Sequence, residues 1–161
     1  MKLSSILVSL LFCGVASTSF AQVQASAAST DANPNLALLN GPGPLHVQKL
    51  VSVDTQVGTG DEVKNGDVIE VHYTGWLYNS KAPNLRGAKF DSSRDSGTPL
   101  NFMVGGRQVI RGWDIGVIGM KVGGKRTLLI PAYLGYSTQG SGNIPPNAHL
   151  YFEVELLAIK K

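Results

Sequence analysis

The segment that most constrains the fold of this chain runs from Val68 to Tyr78 and is dense in β-branched and aromatic side chains. Such side chains favour the pleated surface of a strand, because branching at Cβ restricts their rotamers in a helix. The turn-forming tripeptide Asn65-Gly66-Asp67 directly precedes the segment. The segment therefore predicts one long central strand.

Shorter strands and one helix complete the predicted pattern. The helix is predicted over residues 108–119, where apolar residues recur at helical spacing. Residues 79–87 look like an excursion after the long strand. The other predicted strands cover residues 47–53, 100–104, 125–130 and 150–159. Because strands and helices do not alternate, we predict an α+β domain with an antiparallel sheet of about five strands.

Residues 1–21 have the make-up of a secretory signal peptide. A positive charge at Lys2 is followed by an apolar run, and small residues occupy both positions that signal peptidase inspects before a cut after Ala21. The apolar run spans about 14 residues, fewer than the roughly 20 that a membrane-spanning helix needs. A lipoprotein anchor on Cys13 fits poorly, because Cys13 lies inside the apolar run. We expect an exported protein, in the periplasm or secreted, with no membrane span in the mature form.

Residues 22–45 are rich in Ala, Ser, Asn, Gly and Pro and end in the Gly-Pro pairs of residues 41–44. Such pairs break regular elements, so we predict a flexible N-terminal arm ahead of a domain at 46–161. Cys13 is the only cysteine of the chain, so the mature form would contain none. It would then need no disulfide in an oxidising compartment.

Composition and spacing argue against several classes of function. The formal net charge of +3 is small and scattered, which does not predict a nucleic-acid surface. The histidines are too widely spaced for a helical metal pair, and without cysteines no zinc site is predicted. Ser92 and Ser93 follow Asp91 but form no nucleophile elbow, so a hydrolase triad has little support.

The segment 119–125 has the spacing of a phosphate-binding loop, but two features contradict that interpretation. Arg126 stands where such a loop needs a magnesium-binding Ser or Thr. The segment also follows a predicted helix and leads into a predicted strand, which is the reverse of the order that a phosphate loop requires. We therefore predict a helix-to-strand turn closed by glycines.

Aromatic side chains close to glycine turns recur through the domain, and taken singly most of them would be core residues. Their surroundings, however, form an ordered set of motifs: His72-Tyr73-Thr74-Gly75, Phe90-Asp91-Ser92-Ser93-Arg94-Asp95, Val109-Ile110-Arg111-Gly112-Trp113-Asp114, Ile144-Pro145-Pro146-Asn147-Ala148 and Phe152-Glu153-Val154-Glu155-Leu156-Leu157. Together these motifs resemble the FK506-binding family of peptidyl-prolyl cis/trans isomerases over roughly residues 47–159.

The resemblance implies a twisted antiparallel sheet wrapped around one short α-helix, with an apolar pocket between them. It implies that Trp113 forms the floor of the pocket and that Ile144 caps it. The implied catalytic residues are Tyr73, Asp91 and Tyr136, and the implied substrate-binding residues are Phe90, Leu100, Phe102, Val109, Ile110, Trp113, Ile144 and Phe152. The implied partners are proline-containing polypeptides, with FK506- or rapamycin-type macrolides as inhibitors. No cofactor, metal or nucleic acid is implied, and we expect a monomer.

Several positions depart from the usual pattern of the family. Leu100 replaces a pocket-wall phenylalanine, and Ser96 replaces an arginine that helps to orient the acidic residue in many members. Ser137 follows Tyr136 where glycine is usual, in a loop that is one residue short. Residues 78–88 are longer than in minimal forms and resemble an insertion of some bacterial relatives.

The chemistry of prolyl isomerisation agrees with a site that lacks conventional catalytic groups. Rotation about an X-Pro amide meets a barrier of about 18–20 kcal/mol, because the bond has partial double-bond character. A dry aromatic pocket favours the twisted, less polar amide over the planar one, and needs no nucleophile or cofactor to do so. The alternative is a binding module: a chaperone that holds proline-containing clients with little catalysis.

Overall fold

A computed structural model describes residues 47–160 of the chain. The predicted signal peptide at 1–21 and arm at 22–45 lie outside the described residues. Within this part of the chain, six strands form one antiparallel sheet, with two short helices. The strands are β1 (Val51–Gln56), β2 (Val68–Tyr78), β3 (Arg86–Ser92), β4 (Leu100–Met103), β5 (Lys125–Ile130) and β6 (Leu150–Lys160), and the helices are α1 (Ser93–Ser96) and α2 (Arg111–Gly116). The predicted α+β class is confirmed.

Strand β2 lies at the centre of the sheet, whose order is β1-β5-β6-β2-β3. It pairs with β6 along its length, from Val68 opposite Lys160 to Leu77 opposite Leu150. Its other edge is shared, since β4 pairs with its first half and β3 with its second half. The prediction of a long central strand is confirmed at both ends of the segment.

Strand β3 is the element that the sequence analysis missed. The expectation of about five strands is one short, because the predicted excursion at 79–87 overlaps the start of β3. Its sequence, Arg-Gly-Ala-Lys-Phe-Asp-Ser, lacks the alternation of a half-buried strand. Two irregularities in its register with β2 explain this, because a bulge disrupts the alternation of faces.

Helix α2 packs closely on β5 because two glycines face the strand. A Cβ atom on Gly112 would lie 2.4 Å from Ile130 Cγ2, and one on Gly116 would lie 2.8 Å from Leu128 Cδ2. The helix is shorter than predicted and ends before Gly119, whose φ of +79° is a left-handed conformation that helices do not continue through. The main core fills the space between this helix and the inner face of the sheet.

Arg126 joins three elements on the inner side of the sheet. Its Nε and Nη2 donate to the carboxylate of Asp54 on β1, at 2.6 and 3.0 Å. Its Nη1 donates to the carbonyls of Gly116 and Ile118, both at 2.8 Å. These carbonyls end α2, so the guanidinium caps the helix. The segment 119–125 is thus a turn between α2 and β5, as predicted.

A second, smaller cluster lies on the outer face of the sheet, the face opposite α2. Its buried members are Val47, Val53, Leu129 and Tyr151. Strand β1 begins at Val51 and not at residue 47, where the sequence predicted its start. Val47 is nevertheless buried against the outer face of the sheet, ahead of the strand. Leu85, from the insertion at 78–88, packs against the same cluster. The insertion therefore contributes to the outer face and not to the implied pocket.

Among residues 47–160, no helix has the length and apolar character that crossing a membrane requires.

Candidate active site

An apolar pocket of about 240 Å³ opens beside the start of α2, on the inner side of the sheet. Its lining residues are Tyr73, Phe90, Asp91, Leu100, Gln108, Val109, Ile110, Trp113, Tyr136 and Phe152. The structure thus brings the predicted site residues together, with the exceptions of Phe102 and Ile144. The pocket is lined mainly by apolar surface, with Asp91 and the tyrosine hydroxyls as its polar part.

Trp113 is held in place by edge-to-face contacts with three rings. Its ring centroid lies 5.1 Å from that of Tyr73, 5.3 Å from that of Phe152 and 5.7 Å from that of Phe102. Such contacts contribute stability beyond the area they bury. Only 3% of Trp113 is exposed, so the residue is a fixed surface and not a mobile lid.

Phe102 and Ile144 are buried in the core and are not among the residues that line the pocket. Phe102 is 2% exposed and packs against Trp113, within the core and away from the pocket lining. Ile144 is buried in the same core, and its main chain pairs with Ser141 in the loop between β5 and β6. Phe102 supports the pocket floor through its contact with Trp113, and the substrate-binding roles of Phe102 and Ile144 stay predictions.

A β-bulge aims two consecutive side chains into the pocket. Gly75 pairs with Asp91 and Trp76 pairs with Lys89, so Phe90 is the extra residue of β3. A bulge re-aims side chains, and here Phe90 and Asp91 both line the pocket. Gly75 makes room for this arrangement, because a Cβ atom there would lie 2.6 Å from the ring of Phe152 and 2.7 Å from that of Phe90.

The polar side of the pocket is built around Asp91. The Tyr73 hydroxyl donates a hydrogen bond of 2.5 Å to Asp91 Oδ2. Burial, this hydrogen bond and the charge of Asp91 raise the pKa of Tyr73 far above its ordinary value. Burial and then the charge of Asp91 also raise the pKa of Tyr136. Both hydroxyls therefore remain protonated at neutral pH and available as donors.

A family model described as FKBP-type peptidyl-prolyl cis-trans isomerase matches residues 60–157. The chain belongs to this family. The match spans the pocket and most of the sheet, which confirms the resemblance drawn from the motifs. As an FKBP, the chain is a peptidyl-prolyl cis-trans isomerase.

Relatives of similar size support the assignment. An FK506-binding protein of Neisseria meningitidis serogroup A is 52% identical over 111 residues, covering 68% of this chain and 95% of the relative. FK506-binding protein 2 of Dictyostelium discoideum is 54% identical over 99 residues, covering 61% of this chain and 69% of the relative.

Two solved structures share the fold. The crystal structure of AtFKBP13 superposes with a TM-score of 0.60 at 38% identity, covering 69% of this chain and 93% of the other. The crystal structure of FkpA from Escherichia coli gives a TM-score of 0.62 at 36% identity, covering 79% of this chain and 56% of the other. The sheet and short helices described above are therefore those of the FKBP fold.

Gln108 lines the FKBP pocket but was missed in the sequence analysis. Its Oε1 accepts a hydrogen bond of 2.8 Å from the Met103 main-chain N–H, so its amide group lies at the rim. Asp114 supports the same loop: its carboxylate accepts from the N–H groups of Gly105 and Arg107, at 2.9 and 3.1 Å. The only sequence signal for Gln108 is its position immediately before the Val109-Ile110 motif.

Three departures from the family pattern have visible structural consequences. Ser137 has a φ of 51°, the left-handed conformation that explains why glycine is usual there. Ser96, where an arginine is common, instead donates from its hydroxyl to the carbonyl of Ser93. Leu100 lines the pocket with a shorter, non-aromatic side chain than phenylalanine.

Proposed function

We propose that this FKBP accelerates rotation about X-Pro bonds of exported polypeptides by holding the twisted amide in its apolar pocket. The observation that carries the proposal is the pairing of a buried aromatic floor at Trp113 with a mainly apolar lining and a few polar groups. A proline ring fits against Trp113, and Val109 and Ile110 form a wall beside it. The amide would then lie against mainly apolar surface.

Catalysis in such a pocket arises from stronger binding of the transition state than of the ground state. The twisted amide has lost its resonance, so its carbonyl is less polar and is less destabilised by an apolar environment than the planar form. The protonated hydroxyl of Tyr136 can donate to a peptide carbonyl and fix the orientation of the chain, while the Tyr73 hydroxyl donates to Asp91. No covalent step is needed, because only rotation about one bond takes place.

The names of the relatives support a proposal about ligands as well. Relatives at more than half identity are called FK506-binding proteins. We propose that macrolides of the FK506 and rapamycin type bind the same pocket of this chain and compete with proline-containing polypeptides. A pocket of about 240 Å³ would hold the part of such a ligand that mimics the prolyl residue.

The activity is tested with residues 22–161, by following the refolding of a protein limited by proline isomerisation, with and without FK506. Acceleration that FK506 abolishes would support both the activity and the pocket, and a Tyr136→Phe variant would then measure the contribution of that hydroxyl. If FK506 binds but refolding is not accelerated, the chain is a proline-directed binding module and the catalytic proposal fails.

Export and a monomeric state are separate parts of the proposal. Both rest on the sequence: the features of a signal peptide at 1–21 and an arm with little helical pattern at 22–45. A reporter enzyme that is active only outside the cytoplasm, fused after residue 21, tests export. An inactive fusion would contradict it. Light scattering of residues 22–161 tests the monomeric state, and a mass of twice the chain would contradict it.

A further inference from the structure

The edge of β2 that faces β3 and β4 has a gap at the residue that carries the pocket hydroxyl. The pairing with β4 covers Val68 to Val71, and the pairing with β3 begins at Thr74. Tyr73 therefore falls between the two registers. A buried main-chain N–H or carbonyl without a partner is costly, so this point of the sheet needs another source of hydrogen bonds.

Two serine hydroxyls supply those hydrogen bonds. Ser93 Oγ accepts from the Tyr73 main-chain N–H at 2.9 Å, and Ser92 Oγ donates to the Tyr73 carbonyl at 3.0 Å. Ser92 is 8% exposed and Ser93 is 6% exposed, so water does not readily replace either hydroxyl. The two serines thus take the place of a strand beside Tyr73.

The same short segment also binds the other end of Tyr73. Asp91, which accepts the hydrogen bond from the Tyr73 hydroxyl, immediately precedes the serines. The main chain and the hydroxyl of Tyr73 are therefore both held by residues 91–93. A small shift of this segment relative to β2 would change the alignment of the hydroxyl and the carboxylate.

We infer that Ser93 is a positioning residue for isomerisation: its buried hydroxyl fixes the Tyr73 main chain so that the Tyr73 hydroxyl and Asp91 stay aligned in the pocket. This inference rests on the proposed function. Ser93 rather than Ser92 is tested, because the Ser93 hydroxyl is the one that accepts from the Tyr73 N–H, whereas the Ser92 hydroxyl also accepts from the Arg94 N–H at the start of α1.

Ser93 also contacts the outer face of the sheet. Its Oγ lies 2.9 Å from His72 Nδ1, and His72 lines a polar depression of about 520 Å³ together with Lys125 and Glu155. The hydroxyl is therefore enclosed by hydrogen-bonding groups from both sides. Ser93→Ala deletes this hydroxyl, so it removes the acceptor of the Tyr73 N–H while adding no bulk.

The test measures kcat and KM on an X-Pro peptide for residues 22–161 carrying Ser93→Ala. Ser96→Ala is the matched control, because the Ser96 hydroxyl bonds to the Ser93 carbonyl and the Thr98 N–H but not to Tyr73. We expect Ser93→Ala to lower kcat about threefold to tenfold with little change in KM, because the apolar walls that bind the proline are untouched. The control should match the unmodified chain.

A double variant separates positioning from general damage. If Ser93 acts through the Tyr73 hydroxyl, Ser93→Ala should cost much less in a Tyr73→Phe background than in the unmodified chain. The Tyr73 amide proton should also shift upfield in the NMR spectrum of Ser93→Ala. If that variant does not fold, the nearly isosteric Ser93→Cys, a weaker acceptor, should show both effects in smaller measure.

Equal losses of kcat in the two backgrounds, or a kcat for Ser93→Ala equal to that of Ser96→Ala, would overturn the inference. An unmodified chain without isomerase activity would instead refute the proposed function. In that event the amide shift of Tyr73, which needs no activity, would still show whether Ser93 holds the main chain.

Discussion

Tyr73 combines two contributions that a single substitution can separate: its ring packs against Trp113 and Phe152, and its hydroxyl donates to Asp91. In Tyr73→Phe the ring contacts remain, while Asp91 loses its donor. We expect kcat/KM to fall about threefold to tenfold, the effect of losing one ordinary hydrogen bond, because Asp91 is exposed to water, with little loss of stability. Peptide isomerisation kinetics and thermal unfolding measure the two effects.

The matched control for this variant is Tyr133→Phe. Tyr133 is 61% exposed, and its hydroxyl donates to the carbonyl of Gln48 away from the pocket. Activity should be unchanged in the control. If both variants lost activity equally, the Tyr73 hydroxyl would have no special role in catalysis.

Ser137 occupies a left-handed conformation that glycine adopts without strain. Its carbonyl accepts from the Asn147 N–H at 2.7 Å and its N–H donates to the carbonyl of Ala132 at 2.8 Å, so the loop holds this conformation. We expect Ser137→Gly to raise the free energy of unfolding by about 0.5 kcal/mol, since relief of strain exceeds the added entropy of the unfolded chain.

Urea unfolding measures this change, with Ser141→Gly as the control. Ser141 lies in the same loop but does not have a positive φ, so glycine there should lower stability. A loss of stability in both variants would show that the conformation of Ser137 is not strained.

At the level of elements, the sequence predicted those strands whose residue types and spacing are typical of a strand by themselves. Strand β2 was predicted in full because its β-branched and aromatic residues are continuous, and β5 because its apolar run is bounded by a glycine turn. Strand β3 was missed because a bulge breaks its alternation. The bulge itself, which places Phe90 and Asp91 side by side, depends on pairing with β2 and leaves no local signal.

The same distinction between local sequence patterns and tertiary packing applies to the residues of the site. The structure gathers most of the predicted site residues around one pocket, whereas Phe102 and Ile144 are buried in the core. An apolar side chain near a pocket can face the cavity or the core, and the packing of the whole domain decides between them. Gln108 reaches the rim through a tertiary hydrogen bond that the sequence does not reveal.

The close packing of α2 on β5 depends on Gly112, so a substitution at this position should lower the stability of the fold. Alanine has the higher helix propensity, by about 1 kcal/mol, but its Cβ would overlap Ile130 Cγ2 at 2.4 Å. We expect Gly112→Ala to lower the free energy of unfolding by about 1–2 kcal/mol, because overpacking displaces the helix. Activity should fall as well, since Trp113 moves with the helix.

Ile115→Ala is the control for this substitution. Ile115 is on the same helix but exposed, so the change should alter stability by no more than about 0.5 kcal/mol. If Gly112→Ala were as stable as this control, the close approach of helix and strand would not be required for the fold.

Across the whole molecule, the two faces of one sheet serve different purposes. The inner face carries the core and the apolar pocket. The outer face carries ion pairs, including Arg94 with Glu155 and Arg86 with Glu153, around the larger polar depression. That depression offers a charged surface, which does not favour a twisted amide. The smaller, mainly apolar pocket is therefore the one that the proposed isomerisation would use.

The buried tyrosines give the molecule a defined response to alkaline pH. Burial raises the pKa of Tyr73, Tyr78 and Tyr136 above that of an unfolded tyrosine, which is about 10. Each pKa is higher in the folded state, so the stabilisation is complete below about pH 10 and is lost as the pH rises through the folded values.

We expect urea unfolding to give a free energy of unfolding that declines above about pH 10, and that declines less steeply in Tyr73→Phe. The absorbance of tyrosinate should show that Tyr73 ionises at a higher pH in the folded chain than in the unfolded chain. Equal declines in the two proteins would mean that Tyr73 ionises as readily in the fold as outside it.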